Sequence, residues 1–147
     1  MVLRLSWRYF LPLLYVVVVL ISSSGSDSVK SLTSHAQVTG TWDATFSGTV
    51  QGTGTPQTDT FVMELEQDGS RVNGRVRFKG LNQSFRVSGK VVGATFSYTS
   101  KGMMGPNCEV RLVGETIVEE APGRLRGSQT QANCEGTAVG EVTAVRR

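Results

Sequence analysis

The chain has 147 residues, with 15 Lys and Arg against 12 Asp and Glu, 17 Gly, two Cys and one His. Cutting it before Asp27 removes Arg4 and Arg8 and no acid, which leaves 13 cations against 12 acids. A near-neutral domain of about 120 residues is one folding unit with its own core, and its charge gives no case for nucleic acid.

Arg4 and Arg8 precede an apolar run of 13 residues, Tyr9 to Ile21, and Ser22-Ser23-Ser24-Gly25-Ser26 follows. A basic start, a short apolar centre and a small-residue exit are the parts of a secretory signal. A spanning helix needs roughly 20 apolar residues, so cleavage is expected rather than a permanent anchor. Residues 1–26 therefore read as a signal peptide, 27–37 as a flexible Ser-rich leader, and 38–147 as the folded domain. Membrane contact is expected only through the signal segment if it stays uncut. The protein is expected to be secreted or periplasmic.

Val38, Gly40, Trp42, Ala44, Phe46 and Gly48 alternate with Thr39, Thr41, Asp43, Thr45 and Ser47. Successive side chains of a strand point to opposite faces, so this period predicts a strand with one buried face. Phe61, Met63 and Leu65 continue it, followed by Asp68-Gly69 and then Val72, Gly74, Val76 and Phe78. Read as a two-residue Asp-Gly turn, this hairpin sets Leu65 against Val72, Met63 against Gly74, Phe61 against Val76 and Glu66 against Arg71. Phe85, Val87, Gly89 and Val91 predict a further strand, turning at Val92-Gly93 into Ala94, Phe96 and Tyr98. Val110 to Val118, a more polar stretch near Arg124 to Gln131 with Leu125 and Gly127 inward, and Thr137 to Arg146 complete about eight strands at the spacing of an all-β fold. Short connections and recurrent strand glycines favour an eight-stranded antiparallel up-and-down β-barrel over a sandwich.

Cys108 and Cys134 flank the turn at Glu120-Ala121-Pro122. A three-residue loop there pairs Glu119 with Gly123 and brings the two cysteines opposite each other. In an oxidising compartment they are expected to be bonded.

The only histidine, His35, lies in the leader. The domain thus offers no Ser-His-Asp or Cys-His set, no metal centre and no cofactor site. Its carboxylates fall mostly on the wet phase of their strands. Arg71, Arg75, Arg77, Lys79, Arg86 and Lys90 form a basic stripe without interleaved aromatics, which reads as a solvated face, the alternative being a surface for an acidic partner, an anionic polysaccharide or a lipid headgroup. Asn82-Gln83-Ser84 is a glycosylation sequon in a predicted loop. The inward phase collects Trp42, Phe61, Met63, Phe78, Phe85, Phe96 and Tyr98, and a barrel of this size either fills with side chains or holds one small ligand.

Gly40-Thr41-Trp42, opening the first strand, resembles the Gly-x-Trp signature of lipocalins and the similar opening of avidins. The run Leu65 to Gly74 also looks like repeats of small secreted lipocalin-like bacterial proteins. The resemblance implies that Trp42 plugs the closed end, that Arg146 is the counterpart of an arginine packed on that ring, and that the open end admits a small apolar molecule. The sequence lacks a Thr-Asp-Tyr motif and has no tryptophan after Trp42 to stack on a ligand as avidins do. The resulting expectation is a secreted, disulfide-bonded, non-catalytic barrel that binds a small hydrophobic molecule through the inward set named above. The alternative is an extracytoplasmic protein-interaction or structural module with a filled core, working through its outer face or through Lys101 to Pro106, where Met103 and Met104 suit adaptable contact.

Overall fold

Eight strands form where the two-residue period places them. A computed structural model describes residues 34–147. The signal expected over 1–26, and the leader up to residue 33, lie outside the described residues. The strands are β1 (Gly40–Val50), β2 (Pro56–Asp68), β3 (Arg71–Phe78), β4 (Ser84–Val92), β5 (Thr95–Met103), β6 (Glu109–Glu119), β7 (Arg124–Asn133) and β8 (Gly136–Arg146). Each is antiparallel to its sequence neighbours, and β1 pairs with β8 to close the barrel.

The inward phase is the apolar one. Trp42, Phe46, Phe61, Phe96, Val76, Val87 and Leu125 are fully removed from solvent in one continuous core. Burial of such side chains contributes about 1.5–3 kcal/mol each. Phe96 stacks on Tyr98 with centroids 5.1 Å apart, and Phe61 meets Phe78 at 5.3 Å. The Tyr98 ring fits because the residue opposite it is Gly114: a Cβ there would run into the ring.

Three turns differ from the sequence expectation. The β2–β3 loop is Gly69-Ser70, with Asp68 opposite Arg71, so Leu65 faces Gly74, Met63 faces Val76, Phe61 faces Phe78 and Glu66 faces Asn73. Gly69 has φ of +59°, which suits glycine at the first central position of a type II′ turn and leaves Asp68 in the strand. The β4–β5 loop repeats this with Gly93-Ala94, where Gly93 has φ of +58° and Val92 pairs with Thr95. Ala94 is consequently an exposed turn residue and not an inward one. Both shifts move the pairing by two, so the other inward residues of these strands stay inward.

The β6–β7 loop needs a different reason. It has four residues, and Glu119 pairs with Arg124. The expected three-residue loop would have set Val118 against Arg124 and forced one strand's apolar set outward. The extra residue pairs Val118 with Leu125 and Leu112 with Gln131, which keeps both inward phases inside. Cys108 and Cys134 are bonded all the same, with Cα atoms 5.1 Å apart.

Turns 69–70, 93–94 and 120–123 gather at one end of the barrel. Of the leader expected over 27–37, residues 34–37 are described. The Ala36 N–H donates to the Gly93 carbonyl (2.8 Å) and the Gln37 N–H to Glu120 Oε1 (2.7 Å). Val38 is fully buried, and its N–H donates to Gln67 Oε1 (2.9 Å). The seam between β8 and β1 finishes at this end. The Arg147 N–H donates to the Thr41 carbonyl (2.9 Å), and the guanidinium grips both Asp43 oxygens at 2.8 Å. That grip holds the Asp43 carboxyl below its usual range.

Candidate functional site

The two ends of the barrel are built differently. At the end carrying residues 36–38, Trp42 Nε1–H donates to the Val38 carbonyl (2.8 Å) and the Arg146 guanidinium carbon lies 4.6 Å from the ring centroid. The same guanidinium donates to the Gln37 carbonyl. Trp42 and Arg146 thus close this end, and a cation over an indole face adds its own attraction.

Moving away from the plug, the strand register stacks inward residues in rings. One ring runs Gly89, Tyr98, Gly114, Gln129, Gly140, Gly48 and Gln57. The next runs Val87, Ser100, Leu112, Gln131, Ala138 and Val50. Thr116, whose hydroxyl donates to the Phe96 carbonyl (3.3 Å), and Gln67 at the plug end aside, polar side chains enter the interior toward the second end. Tyr98 O–H donates to Gln129 Oε1. Gln57 Nε2 donates to Asp59 Oδ2 (2.6 Å) and to Gln131 Oε1 (3.2 Å).

This second end opens into a cup of about 630 Å³, within the range of roughly 300–1,000 Å³ typical of small-molecule sites. One wall is apolar, from Phe78, Leu81, Phe85, Met104 and Val110; the facing wall carries Gln57, Asp59, Gln131 and Asn133. Phe78 and Phe85 meet edge to face, with centroids 6.2 Å apart. Lys79 and Glu135 stand at the rim. Among the described residues, no three His, Cys, Asp or Glu side chains gather as a metal site.

Of the seven inward residues singled out from the sequence, Phe78 and Phe85 line this cup. Trp42, Phe61, Met63, Phe96 and Tyr98 lie in the packed core. Met104 lines the cup and is half-buried, while Met103 is exposed; the expectation of two exposed methionines holds for one of them. Gln57, Asp59, Ser100, Gln129 and Gln131 were not among the sequence candidates. Their signal was phase: Ser100 continues Phe96 and Tyr98, and Gln129 and Gln131 continue Leu125 and Gly127, at intervals of two.

Three of these buried polar groups lack a partner: the Gln131 and Gln129 amide nitrogens and the Ser100 hydroxyl. Gln129 is 1% exposed, Ser100 3% and Gln131 7%. An unpaired buried donor costs about 1–3 kcal/mol, so such groups call for a reason.

No protein-family description matches the chain, and no curated protein matches it. Among solved structures, the chain is similar to the crystal structure of a rhizavidin–biotin complex, at 16% identity over 75% of this chain and 100% of that one, with a TM-score of 0.46. A likeness of that size assigns neither family nor ligand to this chain.

Tyr98 offers a direct check on the interior. Burial pushes its phenol well above the ordinary value of 10.0. The folded state therefore holds this proton more tightly than the unfolded chain does. Its contribution to stability is complete below about pH 10 and is lost as pH rises beyond that. Tyr98 is the only tyrosine after residue 26. In an alkaline absorbance titration of a chain starting at residue 27, tyrosinate should appear together with loss of the β circular-dichroism signal. Tyrosinate forming near pH 10 in a still-folded barrel would refute the dry interior.

Proposed function

We propose that this barrel binds a small amphipathic molecule in the cup at its open end, without catalysis. The apolar part rests on Phe78 and Phe85, and a hydrogen-bond acceptor such as a carbonyl meets the Gln131 amide. The observation that carries this reading is Gln131 itself: a nine-tenths-buried side chain in the cup wall with an unspent donor. The polar wall changes the expected ligand from purely hydrophobic to two-sided. We place the protein outside the cytoplasm, as a secreted or periplasmic barrel. The N-terminal signal pattern and the Cys108–Cys134 bond support that location.

Native mass spectrometry of the protein purified from its own source tests this reading. The expected result is a discrete added mass that is lost on denaturation. In the Gln131→Met variant the side-chain volume is nearly kept and the orphaned donor removed, so stability should change by less than about 1.5 kcal/mol. Ligand affinity should fall roughly 10-fold or more, as loss of a buried hydrogen bond dictates. A bare chain mass together with a co-purifying second protein would replace this reading with the interaction module.

A further inference from the structure

The forty residues from Gly69 to Cys108 contain seven Lys and Arg and no Asp or Glu. They supply the whole of β3, β4 and β5. The register turns this compositional bias into a pattern. Arg75 lies opposite Arg86, Arg86 opposite Lys101, and Lys101 opposite Arg111. Four cations thus stand side by side on four successive strands, spanning about 14 Å across the outer face. Four residues along the same two strands, Arg71 lies opposite Lys90. All six side chains are exposed.

Like charges directly opposite each other destabilise a sheet, and three such contacts occur in this one row. Among the described residues, two carboxylates stand beside the row. Lys101 pairs with Glu109 at 3.1 Å, and Glu64 sits opposite Arg75 where the row meets β2. Arg86 and Arg111 have no ion-pair partner among the described residues. A surface evolved only for solubility mixes its signs, whereas this one keeps them apart at a cost.

We infer that the outer face of β3–β6 binds a linear acidic polysaccharide lying across the strands. Three guanidinium groups and one lysine ammonium in a row suit sulfate or carboxylate groups repeated along a chain, because each arginine can donate two parallel hydrogen bonds. No aromatic side chain stands among these cations, since Phe78, Phe85, Phe96 and Tyr98 all belong to the inward phase, so stacking on single-stranded bases has no platform. The convex barrel wall offers a flat lipid surface only a narrow line of contact, whereas a flexible polymer can follow the row.

Binding of dextran sulfate, measured by titration calorimetry at about 0.15 M salt, tests this inference, with neutral dextran, duplex DNA and phosphatidylglycerol vesicles as comparators. Dextran sulfate should bind, with affinity falling as salt rises. The R75Q/R86Q double variant should bind it about tenfold more weakly, while R124Q/R126Q, which removes the same charge from β7, should stay within about twofold. R75K/R86K, which keeps the charge but gives up the paired guanidinium hydrogen bonds, should fall between the unaltered protein and R75Q/R86Q. The melting temperature of R75Q/R86Q should hold or rise, because a repulsive contact is gone. Equal losses in the two glutamine doubles would overturn the inference, as would absence of binding or tighter binding to DNA or vesicles.

Discussion

Replacing Trp42 with alanine should lower the unfolding free energy by about 3–5 kcal/mol, a large part of the roughly 5–15 kcal/mol that holds a domain of this size together. Three losses coincide at this side chain. The ring is fully buried, so its removal leaves a cavity. The Val38 carbonyl loses its donor, which loosens the segment that caps the barrel. Arg146 loses the surface over which its guanidinium lies. The Trp42→Phe variant keeps an aromatic body and gives up the N–H, so its penalty should be smaller, about 1–3 kcal/mol. Arg146→Ala should cost less than Trp42→Ala, and the double variant should lose less than the sum of the two singles. Denaturant unfolding followed by circular dichroism measures all four. A Trp42→Ala loss below about 1 kcal/mol would mean the plug is not part of the core.

The strands were legible because burial follows a period of two, and Trp42, Phe46, Phe61 and Phe96 declare that period without help from distant residues. Turn type was less legible. Asp68-Gly69 and Gly69-Ser70 are both good two-residue loops, and only the path of the partner strand chooses between them. The β6–β7 loop could have been settled from sequence. Leu112 and Val118 sit at even positions and Leu125 at an odd one, and only an even-sized loop brings both sets inside. The cup was obscured by the rule that revealed the core. Gln57 and Asp59 are polar on the inward phase, so the sequence marks this strand only from Phe61, and Gln129 and Gln131 make the stretch near Arg124 to Gln131 read as a more polar one. A binding wall is where local pattern and burial are expected to disagree.

The second large effect concerns Cys108 and Cys134. Their bond closes a 26-residue span, and by chain entropy alone it stabilises the fold by about 3 kcal/mol. The Cys108→Ser/Cys134→Ser variant should melt roughly 10–15 °C lower in scanning calorimetry. Ligand binding should weaken with it, because Cys134 lies between Asn133 and Glu135, which line the cup. An unchanged melting temperature after reduction would show that the β7–β8 turn holds its place through other contacts, such as the Glu135 and Gly136 N–H groups that both donate to Asn133 Oδ1.

The seam between β1 and β8 has a consequence for how the chain reaches its fold. Asp43 and Arg147, which meet there, are 104 residues apart. Every other strand pair forms between sequence neighbours and can zip locally. This last pair must wait until β8 is available and must close a loop spanning the domain, the kind of contact that slows folding to milliseconds or longer. Until then both flanking strands present unpaired backbone edges, ready to pair with another chain. The vulnerable interval in the life of this protein is therefore the time between completion of β1–β7 and arrival of β8.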